Sequence, residues 1–219
     1  MTDFGFSTKT FEFLANLEVN NNRDWWLQHK QDFESNVRLP FLRLIDGLSA
    51  AMETEGIGLS GGSKTIFRMN RDTRFSHDKS PYKTFTSGLL TSSGTKDISG
   101  GVVYLHLDSK GGFMVAGLYQ PPTERLFELR QRMVESHDKF QALIDNLGST
   151  GLHFDPTDAT KTMPRGFADF SNHQHAESIK LKSLIVRQNF VPQDWESSEF
   201  EARVLDFIQR SKPLIDFVS

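Results

Sequence analysis

The stretch that decides the fold lies near the middle of the chain, where residues 101–119 read GVVYLHLDSKGGFMVAGLY. Val103, Leu105 and Leu107 fall on one face of an extended segment, because successive side chains in a strand point to opposite faces. The DSKGG that follows supplies residue types that a tight turn requires. The pattern predicts a β-hairpin with strands at 101–107 and 113–119.

Two further strands are predicted upstream of the hairpin, at 85–91 and at 65–71. In the latter, Phe67 and Met69 alternate with Arg68 and Asn70, which places the two polar side chains on one face. The middle of the chain therefore predicts an antiparallel sheet.

Apolar residues at helical spacing dominate both flanks of this region. The first helices are predicted at 7–19, capped by Ser7, and from Arg23 to about residue 55, capped by Asn22 and ended by Gly56. Within the second, Pro40 either begins a new helix or kinks this one. The later helices are predicted at 123–136, at 139–147 capped by Asp138, at 177–184 before a short strand through Phe190, and at 198–218, where Pro213 breaks or restarts the helix.

The order of helices, sheet and helices predicts an α+β fold, with a central antiparallel sheet packed with N-terminal, middle and C-terminal helices. Residues 148–175 are rich in Gly, Pro, Thr and Asp, and they are too long for an ordinary connection. They are expected to form a packed functional loop or a partly mobile one. No interior linker separates the flanks, so residues 1–219 are expected to form a single domain.

Composition narrows the class of protein. The 219 residues contain no cysteine, which excludes disulfides, thiolate zinc sites and a cysteine nucleophile. The N-terminal residues lack the basic and apolar regions of a signal peptide, and no run approaches the roughly 18 apolar residues that span a bilayer. We therefore expect a cytoplasmic protein with no membrane partner.

Charge is distributed unevenly along the chain. Residues 64–83 hold six basic and two acidic side chains, a net charge of +4, which leaves −7 for the remainder of a chain whose total is −3. A basic island in an acidic protein predicts a local anion site rather than a broad polyanion surface.

The cationic segment, residues 67–83, reads FRMNRDTRFSHDKSPYK. Guanidinium groups bind phosphate or carboxylate bidentately, while ammonium groups act as point charges. Phe75 and Tyr82 are candidates for stacking on a base. The candidate ligand-binding residues are Arg68, Asn70, Arg71, Asp72, Arg74, Lys79, Tyr82 and Lys83, joined by Arg165 and with Lys180 as a further contributor.

The same string resembles the signature of a family of bacterial and fungal hypothetical proteins, domain of unknown function 2461. The NNNRDWW stretch at 20–26 is similar to the family's N-terminal motif, and Pro40-Phe41 follows at a similar interval. GLY at 117–119 and PRGF at 164–167 also resemble it. The resemblance covers nearly the whole chain and implies an α+β fold. It implies no activity, because none is assigned to the family.

Several functions stay open at this stage. The leading hypothesis is binding of a phosphorylated metabolite, a nucleotide or a nucleic-acid end by the cationic segment. One alternative is a hydrolase or phosphoryl-processing enzyme, which would need Asp72, Asp78 or His77 as acid, base or metal ligand. Another is a protein-interaction module in which the segment is a structural ion-pair lattice, and this suits Asp72, since neighbouring guanidiniums hold a carboxylate ionised.

A metal site and a cofactor are not expected. His173 and His175, with Asp169 nearby, have suitable spacing for a metal but lack an evident third ligand. His106 is expected to be a strand histidine held by hydrogen bonds.

Overall fold

The first two helices follow directly from their capping residues. In a computed structural model that describes residues 3–219, α1 spans Thr8–Val19 and α2 spans Arg23–Phe33. The amide of Ser7 donates to Oγ1 of Thr10 at 3.2 Å, and the side chain of Asn22 accepts from the amide of Trp25 at 3.0 Å. Both predicted caps lie at the start of their helices.

Pro40 accounts for the irregular junction that follows. A π-helical turn, Glu34–Arg38, leads into α3, Leu39–Thr54, which carries Pro40 in its first turn. Proline has no amide hydrogen to donate to the carbonyl four residues earlier. That carbonyl, of Asn36, accepts instead from the buried Oγ1 of Thr10 at 2.6 Å. The chain thus passes Pro40 without a break, and Gly56, with φ of 68°, lies just beyond the end of α3.

The sheet confirms the hairpin. Its four strands are β1 Thr86–Leu90, β2 Val102–Asp108, β3 Gly111–Leu118 and β4 Leu184–Phe190, in the order β1-β2-β3-β4. β1 pairs antiparallel with β2, with Ser87 opposite His106 and Leu89 opposite Tyr104. The alternate residues of β2, Val103, Leu105 and Leu107, are fully buried, as their spacing predicts.

The predicted strand at 65–71 is wrong. Only isolated bridges form there, between Ile66 and Gly88 and between Asn70 and Tyr82. The chain is extended near Phe67, whose amide donates to the carbonyl of Ser87 at 2.9 Å, but it then leaves the edge of the sheet. Alternation predicted the extended backbone, but a strand also needs a continuous partner.

Several later boundaries differ from expectation. α4 spans Thr123–Glu135, as predicted, and α5 spans His137–Ser149, so the residue before it is Ser136 and Asp138 is not the cap. The helix predicted at 177–184 is the single turn α6, Ala176–Ile179, because β4 already begins at Leu184. Residues 150–175 are irregular apart from an isolated bridge between Phe154 and Val186 and a 3₁₀ turn at Ala168–Phe170.

The C-terminal region contains α7, Pro192–Glu196, which was not predicted, and α8, Phe200–Val218. Pro213 lies inside α8, so the expected break is wrong. Among residues 3–219, no helix is both long and apolar enough to cross a bilayer.

The chain divides into two compact units. The first comprises residues through Ile98, Val103–Met114 and Gln188–Phe207. Its aromatic core centres on Trp195, which is 2% exposed and whose ring centroid lies 4.5 Å from that of Phe200 and 5.3 Å from that of Phe6.

The second unit comprises Ser99–Val102, Val115–Arg187 and Ile208–Ser219. Its core centres on the fully buried Phe140, whose ring contacts those of Phe217 and His175 at 5.2 and 4.9 Å between centroids. Large rings at the centre of each unit bury more apolar surface per residue than aliphatic side chains do.

Candidate functional site

The cationic segment forms a loop that closes on itself within the first unit. Arg71 donates its amide to the carbonyl of Pro81 at 2.9 Å, and Lys83 donates its amide to the carbonyl of Met69 at 2.8 Å. These bonds flank the bridge between Asn70 and Tyr82. The ends of the loop are therefore fixed side by side.

Hydrogen bonds inside the loop engage three of its cations. Arg71 binds the carboxylate of Asp78 and also donates to the carbonyl of Ser80 at 3.1 Å. Arg74 binds Asp72 with two nitrogens, Nε at 3.0 Å and Nη2 at 2.6 Å. The remaining loop ammonium, that of Lys79, donates to the carbonyl of Thr73 at 3.0 Å. This part of the segment has the contacts expected of a structural lattice.

The two loop carboxylates are poorly suited to act as general bases. Hydrogen bonds from the side chain and amide of Arg74 hold the pKa of Asp72 below its usual range. Hydrogen bonds from the hydroxyl and amide of Ser80, and then from Arg71, hold the pKa of Asp78 well below its usual range. A carboxylate whose ionised form is stabilised in this way has little affinity for a proton at neutral pH.

The loop is anchored to the start of α2. The side-chain amide of Asn21 donates to the carbonyl of Tyr82 at 2.9 Å, and its oxygen accepts from the amide of Tyr82 at 3.1 Å. The ring of Tyr82 stacks on that of Trp26, with 4.3 Å between centroids and 16° between planes. Two segments that are distant in sequence, 20–26 and 67–83, thus support each other.

Two cations outside the lattice, Lys83 and Lys96, lie over aromatic rings. Nζ of Lys83 is 5.2 Å from the ring centroid of Phe67 and 5.6 Å from that of Phe85. Nζ of Lys96 lies 5.3 Å from the same Phe67 ring. Lys83 is half-buried, whereas Lys96 and Arg68 are exposed. We refer to Arg68, Lys83 and Lys96 as the basic cluster.

The basic cluster is not neutralised by ion pairs. Within residues 3–219, none of its three members lies within 4.0 Å of a carboxylate oxygen. Burial, followed by the positive charges of Arg68 and Lys96, lowers the pKa of Lys83. Arg68 also lies close enough to Asp72 to help lower the pKa of that carboxyl, but Asp72 is already bound by Arg74. The three like charges of the cluster therefore leave a net positive potential that favours an anion.

Further rings lie next to those of Phe67 and Phe85, and they are contributed by β2 and β3. His106 stacks on Phe85 and Phe113, with centroids 4.2 and 4.5 Å apart, and its Nδ1 lies 3.0 Å from the hydroxyl oxygen of Tyr104. Burial raises the pKa of Tyr104, so its hydroxyl stays protonated at neutral pH. We refer to Phe67, Phe85, Tyr104, His106 and Phe113 as the aromatic face.

The structure divides the sequence-predicted site residues into separate groups. Lys83 lies at the aromatic face, and Arg68 is close enough to lower the pKa of Lys83. The loop lattice comprises Arg71, Asp72, Arg74 and Lys79. Asn70 is exposed at the neck of the loop. Tyr82 is buried against Trp26 and is not available to stack on a base, and Phe75 is 95% exposed. Arg165 is an exposed residue of the second unit, where Lys180 binds Glu177 at 2.6 Å.

Sequence reasoning missed Lys96 and Tyr104. Lys96 lies in the irregular connection between β1 and β2, where no local pattern marks a functional cation. Tyr104 is one of the alternating outward residues of β2, and its position opposite Leu89 could have been obtained only from the strand register. His106 has the hydrogen bond that its position on a strand predicts.

The histidines of the second unit make hydrogen bonds of their own. Nε2 of His175 lies 3.0 Å from the carbonyl oxygen of His137, and Nδ1 of His173 accepts from the amide of His175 at 3.1 Å. In the part of the chain that the structure describes, no three His, Asp or Glu side chains are grouped closely enough to hold a metal ion.

Comparisons with known proteins identify one family. Neither the curated proteins nor the solved structures give a match to this chain. The family model that matches is described as conserved hypothetical protein (DUF2461), and the match covers residues 9–217. The chain therefore belongs to the DUF2461 family.

Proposed function

We propose that this protein binds a small phosphate-bearing anion, such as a nucleotide or a phosphorylated metabolite, at the basic cluster and the aromatic face. The observation that carries the proposal is the proximity of Arg68, Lys83 and Lys96, none of which forms a close ion pair with a carboxylate of the described chain. An anion placed there would relieve the mutual repulsion of these cations.

The geometry suits a phosphate next to a flat organic group. A guanidinium offers paired donors to phosphate oxygens, and the two ammoniums supply point charges. The rings of Phe67, Phe85 and Tyr104 are half-buried, so each retains surface on which a planar group can stack. We place this binding in the cytoplasm, since a chain without cysteine suits a reducing compartment.

The enzyme alternative has less support. Its candidate bases, Asp72 and Asp78, are held ionised by hydrogen bonds within the loop. His77 is exposed and lies between the two lattice carboxylates in sequence. We therefore propose ligand binding without assigning a reaction.

The test is thermal stabilisation by inorganic phosphate, AMP and ATP, followed by calorimetric titration of the best ligand. Arg68→Gln and Lys96→Gln each remove one cluster cation, and we expect each to weaken binding about tenfold, the typical loss for a charged hydrogen bond. Arg74→Gln is the matched control, because it removes the same charge from the lattice of the same loop.

Retention of binding in Arg74→Gln, with loss in the other two variants, supports the proposal. Two results contradict it: loss of binding in Arg74→Gln alone, or no stabilisation of the wild-type protein by any phosphate compound.

A further inference from the structure

An open cavity of about 460 Å³ lies within the second unit. α4 contributes Thr123, Leu126 and Arg130, which share one helix face because they are three and four residues apart. The other lining residues come from the turn before α4, the irregular segment and the approach to β4: Gln120, Pro121, Thr160, Pro164 and Lys182. A volume of this size suits a small organic molecule.

Arg130 is the unusual residue of this cavity. Its side chain is buried, with only 8% of the residue exposed, and Nη2 donates to the carbonyl of Leu181 at 2.8 Å. Its Nε is buried and has no hydrogen-bond acceptor among residues 3–219. A buried donor on a charged group is costly to leave unsatisfied, so the guanidinium is not fully compensated by the protein. Because Nε itself is closed to solvent, a ligand would reach Arg130 through the part of the guanidinium that lines the cavity.

A second cation lies beside it. Lys182 directly follows Leu181, whose carbonyl accepts from Arg130, so its backbone is held next to the guanidinium. Lys182 is exposed and makes no ion pair with a carboxylate of the described chain. The nearby carboxylate of Asp158 is engaged by Ser183, whose Oγ donates to it at 2.5 Å. The other oxygen of Asp158, Oδ1, is buried and has no hydrogen-bond partner among the described residues, and Asp158 forms no ion pair there with Arg130 or Lys182.

The rest of the lining combines apolar surface with the neutral polar side chains of Gln120, Thr123 and Thr160. Leu126 lies one turn before Arg130, and Pro121 and Pro164 add aliphatic surface. At the far end, α4 begins after Pro122, which offers no capping side chain, so the first-turn amides lack an intrahelical acceptor. The distance from Thr123 to Arg130 along the helix axis is about 10 Å, the length of a compact metabolite.

We propose that this cavity binds a small organic acid, with its carboxylate at Arg130 and Lys182 and its apolar body over Leu126. The guanidinium supplies the specific contact, since it is a charged donor of which only Nη2 is engaged, by the carbonyl of Leu181. This site is separate from the basic cluster, because it uses none of the same residues.

The experiment uses benzoate as the probe and the Nε–H signal of Arg130 as the readout in nitrogen-15 NMR. We expect benzoate to move that signal saturably, and benzamide, which has the same ring without the charge, to bind at least tenfold more weakly. Inorganic phosphate, which lacks an apolar body, should also bind more weakly than benzoate.

Lys182→Gln is the main variant, because the exposed side chain can be changed without disturbing the core. Loss of one exposed charge should weaken benzoate binding roughly two- to fivefold. Lys139→Gln removes an exposed lysine from α5 of the same unit and should leave the affinity unchanged. Arg68→Gln should also leave it unchanged, which separates this site from the basic cluster.

An Nε–H signal of Arg130 that benzoate does not move overturns the proposal. Equal affinities for benzoate in wild-type protein and Lys182→Gln, or equal affinities of the protein for benzoate and benzamide, overturn it as well.

Discussion

Lys83 combines three physical effects that are rarely found on one ammonium group. It is half-buried, it faces two aromatic rings, and it lies within the field of Arg68 and Lys96. The rings favour the charged form, whereas burial and the neighbouring cations oppose it. Burial, followed by the charges of Arg68 and Lys96, lowers the pKa of Lys83.

We expect Lys96→Gln to raise the pKa of Lys83, because removing a like charge stabilises the protonated ammonium. Arg68→Gln should act in the same direction, and Arg74→Gln, whose charge is paired with Asp72, should have little effect. The measurement is a pH titration of the Lys83 side-chain signals by NMR. An unchanged pKa of Lys83 in both cluster variants would show that burial alone lowers it.

This shift also sets the direction of pH dependence for ligand binding. A phosphate ligand favours the protonated form of Lys83 and therefore raises its pKa on binding. Affinity should be greatest below the lowered pKa of Lys83 and should fall as the pH rises through it.

At the scale of elements, the sequence predicts those structures whose signals are local. α1 and α4 have an apolar face and a defined start, and β2 and β3 are joined by a turn of suitable residues, so these elements were found close to their observed bounds. The start of α2 was also predicted, but its end at Phe33 was not. The helix predicted at 177–184 is longer than the observed α6. Helical spacing over eight residues does not show that Leu184 pairs in β4.

The residues of the candidate site also fall into those that the local sequence predicted and those that it did not. Arg68 and Lys83 were predicted because they belong to the conspicuous cationic segment. Lys96 lies outside that segment, in the connection between the paired strands β1 and β2. The string also contains cations whose counterions are only a few residues away, such as Arg74 and Asp72. Composition alone does not distinguish a cation paired inside a loop from one that faces a ligand.

The contact between the start of α2 and the loop carries a prediction of its own. Asn21→Ala removes both hydrogen bonds to the backbone of Tyr82, and we expect the free energy of unfolding to fall by about 1–2 kcal/mol. Asn16→Ala is the control, since this exposed residue of α1 gains helix propensity and should be neutral or slightly stabilising. Urea unfolding followed by circular dichroism measures both variants. Equal stabilities would show that water replaces Asn21 without loss.

For the whole molecule, the balance of charge favours small anions over polyanions. The chain carries a net charge of −3, and the basic segment at 64–83 is set against a remainder of −7. A long nucleic acid bound at the basic cluster would meet this acidic remainder, whereas a single phosphate would not. High salt should weaken binding of phosphate at the exposed cluster, because exposed charges are screened within about 10 Å at 0.1 M ionic strength.

The two compact units raise the question of whether the chain unfolds in one step. Residues of β2, β3, β4 and α8 are divided between the units, so each of these elements is continuous across the division. Unfolding one of these elements therefore disrupts residues that belong to both units. We therefore propose that residues 1–219 behave as a single domain and unfold in one cooperative transition.

The tryptophans make this prediction testable without labels. Trp25, Trp26 and Trp195 all belong to the first unit, so tryptophan fluorescence reports on that unit alone. Far-ultraviolet circular dichroism also reports on α4 and α5 of the second unit. We expect both signals to give the same urea midpoint, and Asn21→Ala to shift the two midpoints equally. If the circular dichroism transition continues beyond the fluorescence transition, the second unit is stable without the first, and the chain has two domains.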